Sequence, residues 1–481
     1  MQPQNQPQYE ITDSDRERLK KIDAAWKAYH GELEPPLAKM PGQPDDNVMS
    51  NRCQPIVDRG VDFLFGQPPT ISAEEGLPEE IEEFLESIWG NKEEQTPLLQ
   101  KLAMNGAIAG QAFLRIRPIP HPPGFKLVVL DPSIVYVAND PQDHDAVQCY
   151  CIEWCSVQQI LGKPQKVYYR EEITRVDPVR PEEGNEEYDY SVMNDTDATW
   201  QINHWTRIGD RGLWQSDGDP IIWPYPFAPI FSCQNLPYPR DFWGMPDVTS
   251  DLIGMNNALN LVESNINRVN KIYGQPVLYA TGVAESQIDI KPGRIIGLPT
   301  PESKIVAVAI TTDLANALQF CQDLRQDMDE QSSVPAIALG RQTELKFGQL
   351  SGTAIKLMFM PLLQKTEKKR CLYGELLINV SKALLILAKY SPDIEIMINW
   401  PGPLPVDDAA ASQVALVKKQ LGVSDATLLQ ELGYDPDEEL EKSQVEDSVK
   451  VRMFSRGQGM PPDNEQQQEE TPQSPTVNGG E

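Results

Sequence analysis

The chain has 481 residues, 40% of them hydrophobic and 42 of them proline, and its 71 acidic side chains against 42 basic ones give a formal net charge of -29. That length exceeds one typical core and predicts two to four substructures. The acidic balance excludes the basic footprint of a protein that grips nucleic acid tightly and statically, but it suits a surface past which DNA moves without sticking.

Residues 1–10, rich in Gln and Pro, are expected to be disordered, and without a basic n-region or an apolar h-region they do not read as a signal peptide. A helix follows over 12–33, with Thr12 or Asp13 as its cap. A second is predicted over 51–66, with Ile56, Val57, Phe63 and Leu64 as its apolar face. Residues 77–90 carry acids in their first turn, as a helix N-terminus favours, and 96–110 read as a helix ending near Gly110.

The texture then changes. Short runs rich in β-branched and aromatic residues, separated by turn residues, predict an antiparallel β region over 111–235, with the acidic insert 177–189 as an exposed loop. Seven cysteines, an odd number spread through the chain, do not form the framework of a small secreted protein. Cys149, Cys151 and Cys155 are the one metal candidate; no nearby His pair completes a zinc set, and alternation in a strand favours structural cysteines.

From residue 246 the pattern is helical, with Val248, Leu252, Met255, Leu259, Val262, Ile266 and Val269 spaced 4-3-4-3-4-3 and Asn, Ser and Asp on the other face. This predicts either a seam against neighbouring helices or an ordinary amphipathic core helix. Residues 273–312 read as short strands and turns, and a helix follows to about residue 334 with Leu314, Leu318, Phe320, Leu324 and Met328 on its apolar side. Two long helices thus flank a small β module, a stalk with a head. After a break over 335–350, Ser351 is expected to cap a helix running to about 390 that kinks or breaks at Pro361. Segment 351–390 carries seven bases against Glu367 and Glu375, including Lys365, Lys368, Lys369 and Arg370 in the run KTEKKR. A strand is predicted at 392–400, helices at 405–422 and 424–433, and a disordered tail from 457. The fold class so read is α+β, mainly helical.

No phosphate-binding loop, dinucleotide fingerprint, HExxH or GxSxG occurs, and four histidines leave few candidates for acid–base chemistry. No catalytic residue, metal or cofactor is expected. No apolar run reaches the roughly 18 residues of a membrane span, so the chain reads as soluble and intracellular.

Four stretches in order carry a likeness to a known family. They are residues 51–71, an Ile-Val-Asp helix running into a Phe-Leu-x-Gly-x-Pro turn; residues 243–260, a looser Asp-Leu helix start with Pro246 inserted; residues 348–365, a Ser-Gly-x-Ala-Ile-Lys motif; and residues 404–433, a Pro-x-Asp helix followed by a Gly-x-Ser-x-x-Thr turn. Together they resemble the portal proteins of tailed bacteriophages. The resemblance implies a ring, usually of twelve copies, around a central channel at one capsid vertex, through which the terminase packages double-stranded DNA that is later ejected. Residues 11–245 and 351–400 would form the wing, 246–272 and 313–336 the stem helices, 273–312 the clip, 337–350 the tunnel loop and 401–456 the crown.

Under that resemblance Leu252, Met255, Leu259, Val262 and Ile266 are expected to pack between subunits. The clip residues Glu285, Asp289, Lys291 and Arg294 are expected to face the terminase large subunit and later the head–tail adaptor, while the wing meets the major capsid protein. Arg341, Lys346 and Gln349 either touch DNA phosphates in the channel or are ordinary solvated loop residues. The bases Lys365, Lys368, Lys369 and Arg370 pair with acidic neighbouring subunits, ring the DNA or face solvent, the first being preferred. Pro361 would bend its helix from the channel towards the periphery. The alternatives are another phage structural protein, such as a minor capsid or scaffold component, and a nucleic-acid enzyme, which the absent motifs disfavour.

Overall fold

The computed structural model describes residues 6–39, 41–42, 45–74, 78–160, 162–176, 199–274, 278–281, 302–307, 314–341, 352–404, 416–420, 422, 424 and 427–428. The chain divides into two units, Met1–Pro403 and Leu404–Glu481.

In the first unit, α1 (Asp13–His30) starts at a capping box in which Thr12 and Asp15 satisfy each other's backbone amides, and it ends at Gly31 in the left-handed region. Next come α2 (Cys53–Phe65), β1 (Thr70–Ala73), α3 (Glu79–Trp89) and α4 (Lys92–Ala109). The Asn91 side chain accepts from the amides of Glu93 and Glu94, so α4 begins a turn before the expected Thr96 and carries Pro97 within it. Gly110 closes α4 at φ 85, where a Cβ would stand 2.2 Å from the Gly244 carbonyl oxygen.

The β region forms two sheets. One has the order β10 (Ile230–Gln234), β2 (Gln111–Pro118), β3 (Phe125–Leu130). The other runs β4 (Val135–Asn139), β5 (Val147–Ile160), β6 (Lys163–Val176), β7 (Thr199–Ile208), with β8 (Gln215–Ser216) and β9 (Ile221–Trp223) both pairing with β7. All these pairings are antiparallel, as expected. Gln8 and Tyr9, read as part of a disordered terminus, are pinned instead. Both backbone amides donate to the buried Glu172 carboxylate at 3.0 Å, and Arg170 Nη1 donates to the Tyr9 carbonyl. The acidic insert 177–189 lies outside the described residues.

The chain continues through α5 (Ser250–Gly274), β11 (Leu278–Thr281), β12 (Lys304–Ala307), α6 (Leu314–Ser332), α7 (Gly352–Leu387) and β13 (Ile396–Asn399). β11 and β12 pair antiparallel between the two long helices, so the helix–β–helix reading holds where the chain is described. β13 pairs with β1, a four-residue strand the sequence pattern missed. α7 runs unbroken through Pro361 and does not break there. Its proline is exposed, on the side where a lost amide bond leaves its carbonyl to water.

One hydrophobic core joins α1–α4, both faces of the three-stranded sheet and α7. At its centre α4 and α7 touch backbone to ring. A Cβ on Gly106 would lie 1.9 Å from Tyr373 Oη, so only glycine lets the buried tyrosine lie against α4. In the second unit, residues 416–420 are helical, the Thr427 amide donates to Ser424 Oγ, and Leu428 is buried; the remainder of the predicted 405–433 helices lies outside the described residues.

Candidate functional site

The stalk is the part of the fold with the most unusual construction. α5 and α6 pack along each other, and Leu259 meets Cys321 and Leu324 in a small core of their own, flanked by Ala258, Val262 and Ile266. Leu252, Met255 and Met328 instead join the main core. Cys321 takes the buried place expected of Leu318 and Phe320, which are 53% and 50% exposed.

The polar face of α5 is not the solvent face. Asn256, Asn260 and Ser264 are each 0–1% exposed. They hold residues 46–52, a stretch that is neither helix nor strand. The Arg52 amide donates to Asn256 Oδ1 (2.9 Å), and Asn256 Nδ2 donates to the Ser50 carbonyl (3.1 Å). The Ser50 amide donates to Asn260 Oδ1 (2.9 Å). The Val48 amide donates to Ser264 Oγ (2.9 Å), which donates back to the Val48 carbonyl (3.3 Å). Asn267 reaches the Asp46 carbonyl, and Arg268 grips the Asp46 carboxylate at 2.8 and 2.9 Å. The match is geometric: four helical residues advance about 6 Å, and two residues of extended chain about 6.6 Å, so every second amide meets the next turn.

The foot of α5 is fixed by charge. Asp247, two residues before Thr249, whose hydroxyl accepts from the Leu252 amide, is buried between two lysines of α7. Lys365 Nζ stands 2.7 Å and Lys369 Nζ 2.5 Å from its carboxylate oxygens. Burial alone would raise the Asp247 carboxyl, but the charges and hydrogen bonds of Lys365 and Lys369 outweigh it and hold the group well below the usual carboxylate range. Burial pulls the Lys369 ammonium down from its ordinary value, against the opposing attraction of Asp247. Lys365 also donates to the Ser332 carbonyl at the end of α6, so this one cluster ties together α5, α6 and α7.

A second charged cluster lies along the stalk. Arg325 pairs with Glu263 at 2.5 Å, and Arg341 pairs with Asp329. Burial, followed by the fields of Arg325 and Arg341, lowers the Arg52 guanidinium. Among the described residues no group of His, Cys, Asp or Glu is placed to hold a metal. Cys149, Cys151 and Cys155 are free thiols, the first two buried in β5; burial pushes the Cys149 thiol up to about 11, which makes it a poor thiolate ligand. Among the described residues no helix is long and apolar enough to cross a membrane.

A family model described as phage portal protein, SPP1 Gp6-like, matches residues 9–451. The chain belongs to the phage portal protein family. No curated protein matches it in sequence. Among solved structures it is similar to a chain of the "neck of native GTA particle computed with C12 symmetry", at 13% identity and TM-score 0.43 over 79% of this chain and 90% of that one. It is similar as well to a chain of the "neck of empty GTA particle computed with C6 symmetry", at 12% identity and TM-score 0.40 over 80% and 89%. Both likenesses are too distant to carry residue roles or an assembly over to this chain.

Within a portal protein, the residues singled out from sequence take different places from those expected. Leu252 and Leu259 are buried in their own chain, and Met255, Val262 and Ile266 are half-buried against its cores. Lys365 and Lys369 are spent on Asp247, and Arg370 donates to the Pro401 carbonyl, pairs with Glu367 and lies over the Trp400 ring. A buried cation must find its partner at once, and these found theirs within the chain; of the run's four bases only Lys368 is exposed. Arg341 is held by Asp329 and is not a free phosphate contact. Lys346, Gln349, Glu285, Asp289, Lys291 and Arg294 lie outside the described residues. Sequence reasoning missed Asp247 and the Asn256–Asn260–Ser264 ladder. The i, i+4, i+8 polar spacing was the available signal for the ladder.

Proposed function

We propose that twelve copies of this portal protein form a ring at one capsid vertex, with a central channel for double-stranded DNA. The observation that carries the reading is a pair of long packed helices bearing a β hairpin between them, in a chain that matches the portal family over 9–451. In this reading α5 and α6 are the stem, residues 273–312 the clip, 342–350 the channel loop, and residues 11–245 with α7 the wing that meets the major capsid protein. The terminase large subunit docks at the clip during packaging, and the head–tail adaptor replaces it afterwards. The chain's role is structural and no catalytic step is assigned to it.

The charge fits the task. Twelve copies carry about -350 formal charges, and like charge keeps DNA from adhering to a passage it must traverse in both directions. With Arg341 engaged by Asp329, DNA contacts in the channel fall to the loop beyond it, including Lys346 and Gln349. Deleting residues 342–349, which spares Arg341, is expected to leave rings of normal symmetry and to impair DNA packaging or retention in a packaging assay. Full packaging through intact rings would contradict the channel role of the loop.

A further inference from the structure

The stem helix α6 has two flanks of opposite character. Cys321, Leu324 and Met328 (i, i+3, i+7) are buried. Beside them, Leu318 and Arg325 (i, i+7) share one flank, with Asp329 a turn further on. Phe320, Asp323, Asp327 and Glu330 share the other, spread over roughly 140–220° round the helix from Arg325 at about 100° per residue.

The first flank is cationic. Arg325 and Arg341 each have a carboxylate, Glu263 and Asp329, but Arg52, which lies within the field of all four, has no salt-bridge partner among the described residues. Two of the three guanidiniums are thus matched one to one by carboxylates, and the Arg52 guanidinium is the one left without an ion pair. The cluster is open to a partner, since the Arg325 and Arg341 side chains keep 34% and 30% of their exposure. The second flank is anionic. Asp323, Asp327 and Glu330 are exposed, and no lysine or arginine pairs with them among the described residues; the contacts of Asp323 and Glu330 are amide hydrogen bonds from Gln319 and Gln326 on the same helix. Each flank also exposes one large apolar side chain, Leu318 or Phe320.

We propose that these flanks are the two halves of one head-to-tail contact, in which the Asp323–Asp327–Glu330 flank of one copy docks on the Arg52–Arg325–Arg341 flank of the next. The proposal rests on the ring reading and adds the residues that would close the ring. A contact joining two different patches of the same chain is heterologous, and it closes into a ring when its rotation allows. Opposite charge on the two patches sets direction and register, because a copy turned the wrong way would put like charges together. A second copy of this chain is the favoured occupant because a subunit of charge -29 has acids in excess, and the Arg52–Arg325–Arg341 cluster offers them an unpaired guanidinium. DNA, an anion, would be repelled by the acidic flank.

The test is a charge swap in the full chain, read by analytical ultracentrifugation and end-on images. Asp323→Lys with Asp327→Lys is expected to raise the protein concentration needed for rings by about tenfold or more, with thermal unfolding of the subunit unchanged. Adding Arg52→Glu to that variant should restore assembly at least in part. Arg52→Gln alone, which only removes the spare cation, should weaken assembly, and added salt should narrow all these differences. Reversed flanks that assemble as readily as the unaltered chain would overturn the proposal and leave the ring reading standing. So would normal rings with altered DNA passage, which would place the acidic flank in the channel. An unaltered chain that forms no ring at any concentration would remove the ring reading itself.

Discussion

Replacing Asp247 with alanine is expected to destabilise the subunit by about 3–5 kcal/mol, measured as a shift in the denaturant midpoint. The substitution removes the one anion from a site where Lys365 and Lys369 have side-chain exposures of 14% and 4%. Two buried ammonium groups would then face each other without a counter-charge. Asp247→Asn keeps the volume and should recover little, since it still lacks the charge. Replacing all three residues with apolar ones of similar size should recover most of the loss, because the cost is an unpaired charge and not a missing contact. A loss below about 1 kcal/mol for Asp247→Ala would show that the lysines find other partners. The pH dependence follows from the sign of the shift. The folded carboxyl titrates below its unfolded value, so its contribution is complete above about pH 5 and fades as the pH falls through about 4 and lower. Acid should therefore loosen the foot of α5 from α7 only well below the usual carboxylate range.

Removing the ladder, through Asn256→Ala, Asn260→Ala and Ser264→Ala together, should free residues 46–52 from α5. The amides of Val48, Ser50 and Arg52 lose their acceptors, at about 1–3 kcal/mol for each one left buried without a partner. The chain's response is to let that stretch open to water, so the sharper readout is local. Hydrogen exchange at those three amides is expected to be slow in the unaltered chain and fast in the triple variant, while the amides of β5 and β6 keep their protection. Unchanged protection at Val48, Ser50 and Arg52 would mean that other groups hold the stretch. The ladder has a consequence for the stem. It gives α5 a second companion along its length besides α6.

Local signals in the sequence were legible where partners are close along the chain. Thr12 and its capping box, the glycine after α4, the alternating strands and the β module between α5 and α6 all involve short separations or simple periods. What the sequence hid was pairing at a distance. Lys365 and Lys369 read as a basic surface run because Asp247, their partner, lies 118 and 122 positions away. Asn256, Asn260 and Ser264 read as a wet face because Asn and Ser usually are exposed, and the amides that bury them sit 204–216 positions away. In α6 the period was right, but the stripe chosen followed side-chain size. Cys321, small and apolar, is buried while Leu318 and Phe320 point outwards. Large apolar residues left exposed on a helix whose opposite flanks carry opposite charge are what a subunit built for a partner should show.

The central claim is that this portal protein works as a ring around a channel. Negative-stain imaging of the purified full-length protein, with the symmetry counted in end-on views, tests it most directly. Closed rings of about twelve copies around a central opening are the predicted result. A population that remains monomeric at every concentration, or that assembles into open filaments without a channel, would contradict it.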